Sequence, residues 1–405
     1  MIYDAIIIGA GASGLYCAAH LNNKNVLIIE KNKRIGLKVL ASGSGQCNLT
    51  HGGYMNAFYG HYGANKAFVK PALSAHTNKD VVSYFESCGV KCFERPDGKV
   101  FPESLKASDV VDALKRACSK VVIKMKTRVI SCDKVSTHFV VKTDGGEYHS
   151  MTLVVATGGR SYPNLGTTGD GYPIAEAFGH TIVPTKPGLT GVVTRAKTLA
   201  TLQGVSIEDV TLTLNRQGQK SKVYQGALLF THFGLSGPVV INNSRGFDRG
   251  DTLSINFLAS PSDVIEGHFI ETANLNGDKP ISFYLNQLKL PDVLKSLIMA
   301  DAGFERDTKL STITKPQRKW LMQQLTNYVC EIESLIGYQQ AMVTVGGISC
   351  DEVDAKTLES KVIKGLFFIG EVLNVDGDTG GYNLQWAFSS GCAAAKKIQT
   401  DIEVD

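Results

Sequence analysis

A short apolar strand that runs into three spaced glycines does most to constrain the fold of this chain. Tyr3 to Ile8 is apolar, Gly9, Gly11 and Gly14 follow, and Leu15 to Leu21 continues with helical spacing. In such a strand–turn–helix unit the first glycine permits the tight turn, the second lets a phosphate group approach the backbone, and the third allows helix and strand to pack closely. The sequence therefore predicts a phosphate-binding βαβ unit at the start of the chain.

A second strand extends this prediction to a dinucleotide. Asn25 to Ile29 is apolar and ends in Glu30, whose carboxylate is placed to accept hydrogen bonds from the hydroxyl groups of a ribose. The unpaired N–H groups and the positive dipole end of the first helix attract the phosphates. Ala12 and Ser13 stand at that helix N-terminus and are expected contacts.

The C-terminal region favours FAD over a nicotinamide dinucleotide. Gly365 to Ile369 forms an apolar strand followed by Gly370-Glu371, and Gly380 to Asn383 precedes a small-residue helix from Leu384 to Ile398. A nicotinamide dehydrogenase needs no second glycine-rich strand-to-helix unit that returns to the cofactor. We therefore expect Gly370-Glu371 near the pyrophosphate and ribityl chain, and the last helix with its N-terminus at the isoalloxazine ring. The alternative interpretation is a simple loop before a packed helix.

Length and composition agree with a cytoplasmic globular protein of more than one domain. The chain has 405 residues, of which 43% are hydrophobic and 20% charged, and it contains no apolar run that could span a bilayer. Its nine cysteines include no CxxC pair, which is typical of reduced thiols and gives no support to a metal site. The formal charge of +4 is spread without a basic block, so neither nucleic acid nor a membrane is an expected partner. The sequence gives no indication of the oligomeric state.

The middle of the chain has a different pattern. Three segments alternate as strands do, Val192 to Ala196, Ser206 to Asn215 and Lys222 to Phe230. A turn is indicated between the last two at Arg216 to Gly218. Helical spacing follows in four segments, Ser262 to Leu275, Ile281 to Leu288, Pro291 to Ala300 and Lys315 to Tyr328. The sequence thus predicts a β-rich piece at residues 191–260 and a helical cap at residues 261–330, both inserted into the dinucleotide domain.

Several motifs, in order along the chain, resemble the BaiN-like and aminoacetone-oxidase-like FAD-binding proteins, also called the YhiN type. The matching stretches are Ala41 to Asn48, Ala156 to Pro163, Thr168 to Tyr172, Leu229 to Pro238, Val345 to Ile348 and Gly370 to Asn383. The resemblance implies an α/β fold with a glutathione-reductase-type, Rossmann-like FAD domain at residues 1–190 plus 338–405. It also implies an inserted substrate-side region at residues 191–337.

The resemblance implies bound FAD and a set of contacts drawn from both ends of the chain. Val129 occupies the place where such proteins hold the adenine through backbone atoms. Cys47 is expected as a small buried residue beside the cofactor, because it has no partner thiol at CxxC spacing. The expected contacts are Gly9, Gly11, Ala12, Ser13, Gly14, Glu30, Lys31, Lys38, Gly45, Cys47, Asn48, Val129, Thr157, Gly158, Asp170, Gly370, Glu371, Asp376, Gly381, Tyr382, Asn383 and Leu384.

Two residues are candidates for chemistry on the substrate. His232 follows Phe230-Thr231 in a loop that ends in glycine, and its imidazole suits a proton donor or substrate contact. A packed histidine in an interface is the alternative. Arg160 follows the Gly158-Gly159 turn and suits an anionic substrate group or the flavin, and an ion pair with a neighbouring carboxylate is the alternative.

The sequence predicts an FAD-dependent oxidoreductase that acts on a small organic substrate. Members of the resembling family are described both as amine oxidases that use oxygen and as reductases of unsaturated steroid-like substrates. In the second case NAD(P)H would bind transiently, since no second complete GxGxxG motif is present. A flavin-dependent RNA modifier and a non-catalytic flavin-binding redox sensor are the alternative functions.

Overall fold

The computed structural model of the chain describes residues 1–21, 24–195, 197–305 and 307–404. Backbone contacts group them into two compact units, Met1–Gly188 with Tyr338–Asp405, and Leu189–Gly337. The first unit therefore draws on both ends of the chain, whereas the second is one continuous stretch.

The described residues form 18 β-strands and 13 α-helices. The strands are β1 (Ile2–Ile8), β2 (Val26–Ile29), β3 (Thr50–His51), β4 (Cys92–Glu94), β5 (Lys99–Pro102), β6 (Val122–Lys124), β7 (Val129–Val135), β8 (His138–Thr143), β9 (Gly146–Val155), β10 (Ile182–Gly188), β11 (Val192–Thr194), β12 (Ser206–Asn215), β13 (Lys222–Thr231), β14 (Gly234–Ser236), β15 (Thr252–Asn256), β16 (Tyr328–Leu335), β17 (Val343–Ile348) and β18 (Leu366–Phe368). The helices are α1 (Ala12–Ala19), α2 (Leu37–Ala41), α3 (Met55–Phe58), α4 (Lys66–Ala75), α5 (Asn78–Ser87), α6 (Ala107–Ala117), α7 (Gly171–Ala177), α8 (Pro238–Ile241), α9 (Ser262–Leu275), α10 (Ile281–Leu285), α11 (Asp292–Asp301), α12 (Lys315–Thr326) and α13 (Tyr382–Val404).

The main sheet of the first unit has a parallel half and an antiparallel half. β6, β2, β1 and β9 run parallel in that order, and β18 pairs parallel with the end of β9. In register, Ile6 lies opposite Leu27 on one side and Leu153 on the other. All three side chains are fully buried, as strands of a parallel sheet covered on both faces require. The predicted α/β fold class is confirmed.

The antiparallel half is the meander β7–β8–β9, in which β8 and β9 are joined by a turn at Asp144-Gly145. β9 serves both halves because its first residues pair with β8 and its last residues pair with β18. Ser150 lies opposite Phe139 of β8, whereas Val154 lies opposite Phe367 of β18. The meander and the C-terminal strand are thus attached to the same strand.

The two ends of the chain meet where α13 packs on α1. The ring centroids of Tyr16 and Phe388 lie 4.8 Å apart, and both rings are buried. Gly391 allows this approach because a Cβ there would lie 2.7 Å from the backbone oxygen of Ser13. Small residues in α13 therefore bring it against the helix that follows the first glycine motif.

The second unit is a closed barrel with the strand order β11-β14-β13-β12-β15-β16. β16 closes it by pairing with both β15 and β11. The helices α9 to α12 lie between β15 and β16 in sequence, and Phe269 and Tyr284 from two of them stack edge-to-face at 4.9 Å. The four predicted helices are observed, although the last ends at Thr326 and Tyr328 already belongs to β16. No helix in the described part of the chain is long and apolar enough to cross a bilayer.

Candidate functional site

At Gly9 and Gly14 of the first motif, the structure agrees with the roles that the sequence predicts. A Cβ on Gly9 would lie 2.6 Å from the carbonyl oxygen of Ala156, and one on Gly14 would collide with the carbonyl oxygen of Gly9. These two glycines are needed for packing. Gly11 differs, because a Cβ there would meet nothing within 4 Å. Its backbone faces open space, as a backbone that receives a phosphate must.

The N-terminus of α1 adds donors beside this open space. Gly11 is the N-cap residue, no side chain caps the helix, and its first turn has no acidic residue. Ala12 and Ser13 begin the helix, and Ser13 is buried. A helix start with uncapped N–H groups and no carboxylate of its own is suited to an anion.

Glu30 is held by backbone N–H groups at the end of β2. Its two carboxylate oxygens accept hydrogen bonds from the N–H groups of Ala10 and Asn32, each at 2.8 Å. The side chain is buried, so these bonds fix its orientation. Carboxylate oxygens have more than one acceptor position each, and the remaining positions suit the ribose hydroxyls that the sequence predicts here.

Next to Glu30, Lys31 forms an ion pair with Asp170 and donates to Thr168 Oγ1 at 2.6 Å. Thr168 also donates to Asp170 at 2.8 Å. Burial raises the pKa of the Asp170 carboxyl, but the hydrogen bonds from Lys31 and Thr168 outweigh it and the pKa is lowered overall. Val129 begins β7 opposite Thr143, and the neighbouring Arg128 lies 3.6 Å from Asp170. Lys31, Arg128 and Asp170 therefore form one ion-pair cluster next to Glu30 and Val129 in the chain.

The loop after α2 has an unusual backbone. Gly43, Ser44 and Gly45 have left-handed φ angles of 55°, 56° and 85°, and Cys47 has 61°. The Cys47 side chain is fully buried, and burial raises the pKa of its thiol to about 12. The prediction of a small buried residue is thus confirmed. The amide oxygen of Asn48 is buried and has no hydrogen-bond partner in the described structure, so it is open to a donor from a ligand.

Gly370 and Glu371 follow the C-terminal strand β18, and Gly370 lies against the first motif. Gly370 has a φ of 74°, and a Cβ there would lie 2.5 Å from Ser13 Oγ. Glu371 forms an ion pair of 2.5 Å with Lys38 and accepts the N–H of Thr344 at 2.8 Å. These contacts join residues that the sequence places at opposite ends of the chain. Thr157 and Gly158 follow β9 beside them, where Gly158 has a φ of 71°.

The start of α13 is built around Tyr382. Its ring lies between two imidazoles, 4.0 Å from the centroid of His61 and 5.2 Å from that of His51, with interplanar angles of 16° and 14°. Burial, followed by the charge of Asp378, raises the pKa of the Tyr382 phenol to about 12, so the phenol stays neutral. Gly381 has a φ of 103°, and any Cβ there would collide with the backbone of Thr50.

The side-chain amide of Asn383 forms hydrogen bonds with the loop before α13. Its amide accepts the N–H of Gly377 at 2.8 Å and donates to the carbonyl oxygens of Gly377 and Asp378 at 2.9 and 3.2 Å. The amide therefore holds the loop before α13, and a contact of Asn383 with the flavin stays a prediction. Asp376 is buried in that same loop, and Leu384 follows in the first turn of the helix.

The two predicted catalytic residues lie in different units. Arg160 is in the first unit, where its guanidinium donates to Thr185 Oγ1 at 3.3 Å and lies 5.8 Å from the Tyr172 ring centroid. Within the described residues it has no carboxylate at ion-pair distance, and its contact with a substrate group or the flavin stays a prediction. His232 is exposed on the turn between β13 and β14 of the second unit, with its ring against Phe233. Its predicted role stays a prediction.

Four residues near the start of α13 were not predicted from the sequence: His51, His61, Tyr62 and Asp378. His61 Nδ1 lies 2.8 Å from Asp378 Oδ2, although the two residues are 317 positions apart. Tyr62 donates to the carbonyl oxygen of Tyr382 at 2.8 Å. No local spacing connects these residues, and they meet only because the C-terminal loop folds back onto residues 59–65.

Several features of the first unit suit FAD. The open space at Gly11 and the uncapped start of α1 form a cradle with backbone donors, and the unpartnered amide oxygen of Asn48 is a further acceptor. Glu30 stands at the ribose position of such a cradle. The residues present fit the dinucleotide, and the individual contacts remain predictions.

The fold and this cradle define a dinucleotide-binding α/β protein. Comparison with known proteins goes further, because the family described as HI0933-like protein Rossmann domain matches residues 3–397. The chain belongs to this family, and the resemblance to BaiN-like FAD-binding proteins is confirmed. It is therefore a flavin-dependent oxidoreductase.

Similar proteins carry two different names. A relative from Escherichia coli (strain K12), named ribosomal RNA dihydrouridine synthase, is 35% identical over 98% of both chains. A relative from Clostridium scindens, named 3-dehydro-bile acid delta(4,6)-reductase, is 30% identical over 96% of this chain and 97% of its own. A solved quinol-fumarate reductase with menaquinol shares the fold at 15% identity, covers 99% of this chain and 71% of its own, and has a TM-score of 0.50. The first name runs counter to the expectation that nucleic acid is not a partner.

Proposed function

We propose that this protein reduces a C=C bond conjugated to a carbonyl group, and that its substrate is a uridine in ribosomal RNA. The observation that carries the proposal is the alignment with the ribosomal RNA dihydrouridine synthase of Escherichia coli, which leaves almost no part of either chain unmatched at 35% identity. An alignment of that extent includes both the residues of the cofactor cradle and the whole barrel unit.

The second relative supports the reaction type. Dihydrouridine is uridine whose C5=C6 bond, conjugated to the C4 carbonyl, has been saturated. The name of the 30% identical relative describes reduction at positions 4 and 6 of an oxidised bile acid, which is also reduction of unsaturated carbons. Two relatives with different substrates thus share one kind of chemistry, and this favours a reductase over an amine oxidase.

The two units have different proposed roles, one in cofactor binding and the other on the substrate side. Residues 1–188 and 338–405 would hold FAD through the cradle around Gly11, Glu30, Lys38 and Glu371. When bound and reduced, FAD supplies the hydride, and NAD(P)H is the proposed source of its electrons. Residues 189–337 would lie on the substrate side, with His232 as a candidate contact. Arg160, exposed and without a carboxylate partner in the described structure, suits a carbonyl or phosphate oxygen of the substrate.

The charge distribution is compatible with an RNA substrate of this kind. A formal charge of +4 spread along the chain argues against a long electrostatic footprint on a duplex. Reduction of one base needs only an unstacked nucleotide and a few local contacts. The weak overall charge therefore favours recognition of one site in a folded RNA over binding along a helix.

The test uses the purified FAD-loaded protein, NADPH and unmodified ribosomal RNA made by transcription in vitro. Nucleosides released from the RNA are measured by mass spectrometry, and dihydrouridine is expected only when protein and NADPH are both present. Parallel reactions contain a 3-oxo-4,6-diene steroid, or small amines with oxygen.

Each result assigns a different substrate. Saturation of the steroid without dihydrouridine would support the second candidate, a steroid enone reductase, which rests on the 30% identical relative. Hydrogen peroxide formed only with an amine would contradict both reductase proposals.

A further inference from the structure

Two hydrogen bonds join His61 and Asp378. The N–H of His61 Nδ1 meets Asp378 Oδ2 at 2.8 Å, and the backbone N–H of Asp378 donates to the carbonyl oxygen of His61 at 3.0 Å. Asn383 holds the backbone of Asp378 from the other side. The imidazole is therefore oriented by a carboxylate whose own position is fixed by α13.

The other ring nitrogen of His61 is not used by the protein. Nε2 has no hydrogen-bond partner in the described part of the chain, and the side chain is 37% exposed. One ring face is covered by Tyr382 at a centroid distance of 4.0 Å. With one face covered and the Nδ1 edge occupied, the exposed part of the ring includes the Nε2 edge.

This pair lies beside the segment that is predicted to face the isoalloxazine ring. Tyr382 is the first residue of α13, and Gly381 directly precedes it. The same His61 ring stacks on Tyr382, and Asn65 from the same segment donates to the carbonyl oxygen of Asn374 at 2.6 Å. Residues 59–65 and the loop before α13 therefore form one surface.

A carboxylate-oriented imidazole with an accessible Nε2 is the arrangement of a general acid or base. We propose that His61 is the proton donor of the reduction, and that Asp378 is its positioning residue. This assignment rests on the proposed function. The chemistry needs such a donor, because saturation of a conjugated C=C bond adds one hydride and one proton.

The hydride and the proton go to adjacent carbons of the uracil. The hydride reaches C6 of the uracil and brings both electrons, since C6 is the carbon β to the C4 carbonyl. The Nε2 proton of the imidazolium of His61 then forms the new C–H bond at C5, and the π electrons of the former C5=C6 bond become that bond. His61 is left neutral, its Nδ1 proton stays on the ring and hydrogen-bonded to Asp378, and solvent returns the Nε2 proton.

The groups that face His61 agree with this role. Asp378 is the charged group in contact with it, and its carboxylate accepts the hydrogen bond from Nδ1. Tyr382 covers the ring, and burial raises the pKa of its phenol to about 12. Tyr62 is also buried, which raises the pKa of its phenol well above the usual value. Beyond Tyr382 lies His51, with both ring nitrogens near carbonyl oxygens, Gly52 at 3.0 Å and Asp97 at 3.1 Å.

The test compares His61→Asn with His61→Gln in the FAD-loaded protein. The asparagine amide can take the place of Nδ1 and keep the bond to Asp378, but it has no group at Nε2. The glutamine amide reaches the Nε2 position with a group that does not transfer a proton. Both variants should form dihydrouridine about 10²- to 10⁴-fold more slowly than wild type, which is the usual range for loss of a general acid. FAD content and reduction by dithionite should be unchanged.

A second measurement is independent of activity. Nitrogen-15 spectra of the histidine rings should show His61 with its proton on Nδ1 when neutral, and Asp378→Asn should abolish this tautomer preference. A neutral His61 with its proton on Nε2 would overturn the assignment, and so would dihydrouridine formation by His61→Asn at the wild-type rate. If wild type itself forms no dihydrouridine, the proposed function fails, and the role of His61 fails with it.

Discussion

Replacing Gly11 by alanine should separate cofactor binding from folding. The structure places nothing within 4 Å of a Cβ at this position, and the backbone has φ −84° and ψ −168°, which any residue adopts. Alanine restricts the unfolded chain and gains about 0.4–1 kcal/mol, but it is a poorer N-cap residue than glycine. The gain from the restricted unfolded chain and the loss from the poorer N-cap offset each other. The unfolding free energy of the variant apoprotein should therefore stay within about 1 kcal/mol of the wild-type value.

The affinity for FAD should respond differently. The added methyl group would fill the space that the pyrophosphate is predicted to enter, and would separate it from the N–H groups at the start of α1. A hydrogen bond to a charged group contributes about 1.5–3 kcal/mol, and loss of one corresponds to about a 10- to 150-fold higher Kd. Titration of the apoprotein with FAD, followed by flavin fluorescence, measures this change.

Gly267→Ala is the matched control. Gly267 lies in α9 of the other unit, and a Cβ there also meets nothing within 4 Å. This variant should be slightly more stable than wild type, because alanine favours a helix by about 1 kcal/mol, and should bind FAD normally. If Gly11→Ala folds like wild type and binds FAD within twofold of it, the pyrophosphate is not at this helix start.

Two further predictions concern buried titratable groups. Burial, followed by the charge of His20, lowers the pKa of His76 from 6.5 to about 4, so the unfolded chain takes up the proton first as the pH falls. Stability from this residue should be complete above pH 6.5 and lost between there and pH 4, by about 3 kcal/mol. Denaturant unfolding at both ends of this range measures it, and an equal loss in His76→Gln would contradict it. Cys47, whose pKa burial raises to about 12, should resist alkylation at pH 8 until the protein unfolds. Rapid labelling of its peptide in the native protein, seen by mass spectrometry, would refute this.

The parts of the fold that sequence reasoning predicts well are those encoded locally. The strand, turn and helix around Gly9 and Gly14 can be predicted from an apolar run and glycine spacing, since Gly9 has a left-handed φ of 107° in the turn and Gly14 leaves room for the carbonyl oxygen of Gly9. The alternating segments of β12 and the helix α9 are found with their observed bounds for the same reason. Amphipathic periodicity is a property of a short segment.

Closure of the barrel was not predictable in this way. β16 follows four helices and pairs with β11, more than 130 positions earlier in the chain. The short strand β14 has only three residues, too few to show an alternating pattern. The pair His61–Asp378 escaped prediction for a related reason, because its partners are 317 positions apart. Such contacts depend on the fold of the whole unit.

The chain order of the two units also bears on how the protein is made. All strands of the barrel lie between Val192 and Leu335, so this unit can fold while the ribosome is still adding residues. The first unit cannot be completed at that stage, since β18 and α13 are translated last and α13 packs on α1. Until then α1 lacks its partner helix, and Gly370 is not yet against Ser13. A nascent chain that stops before residue 366 should therefore contain a folded barrel and leave FAD unbound.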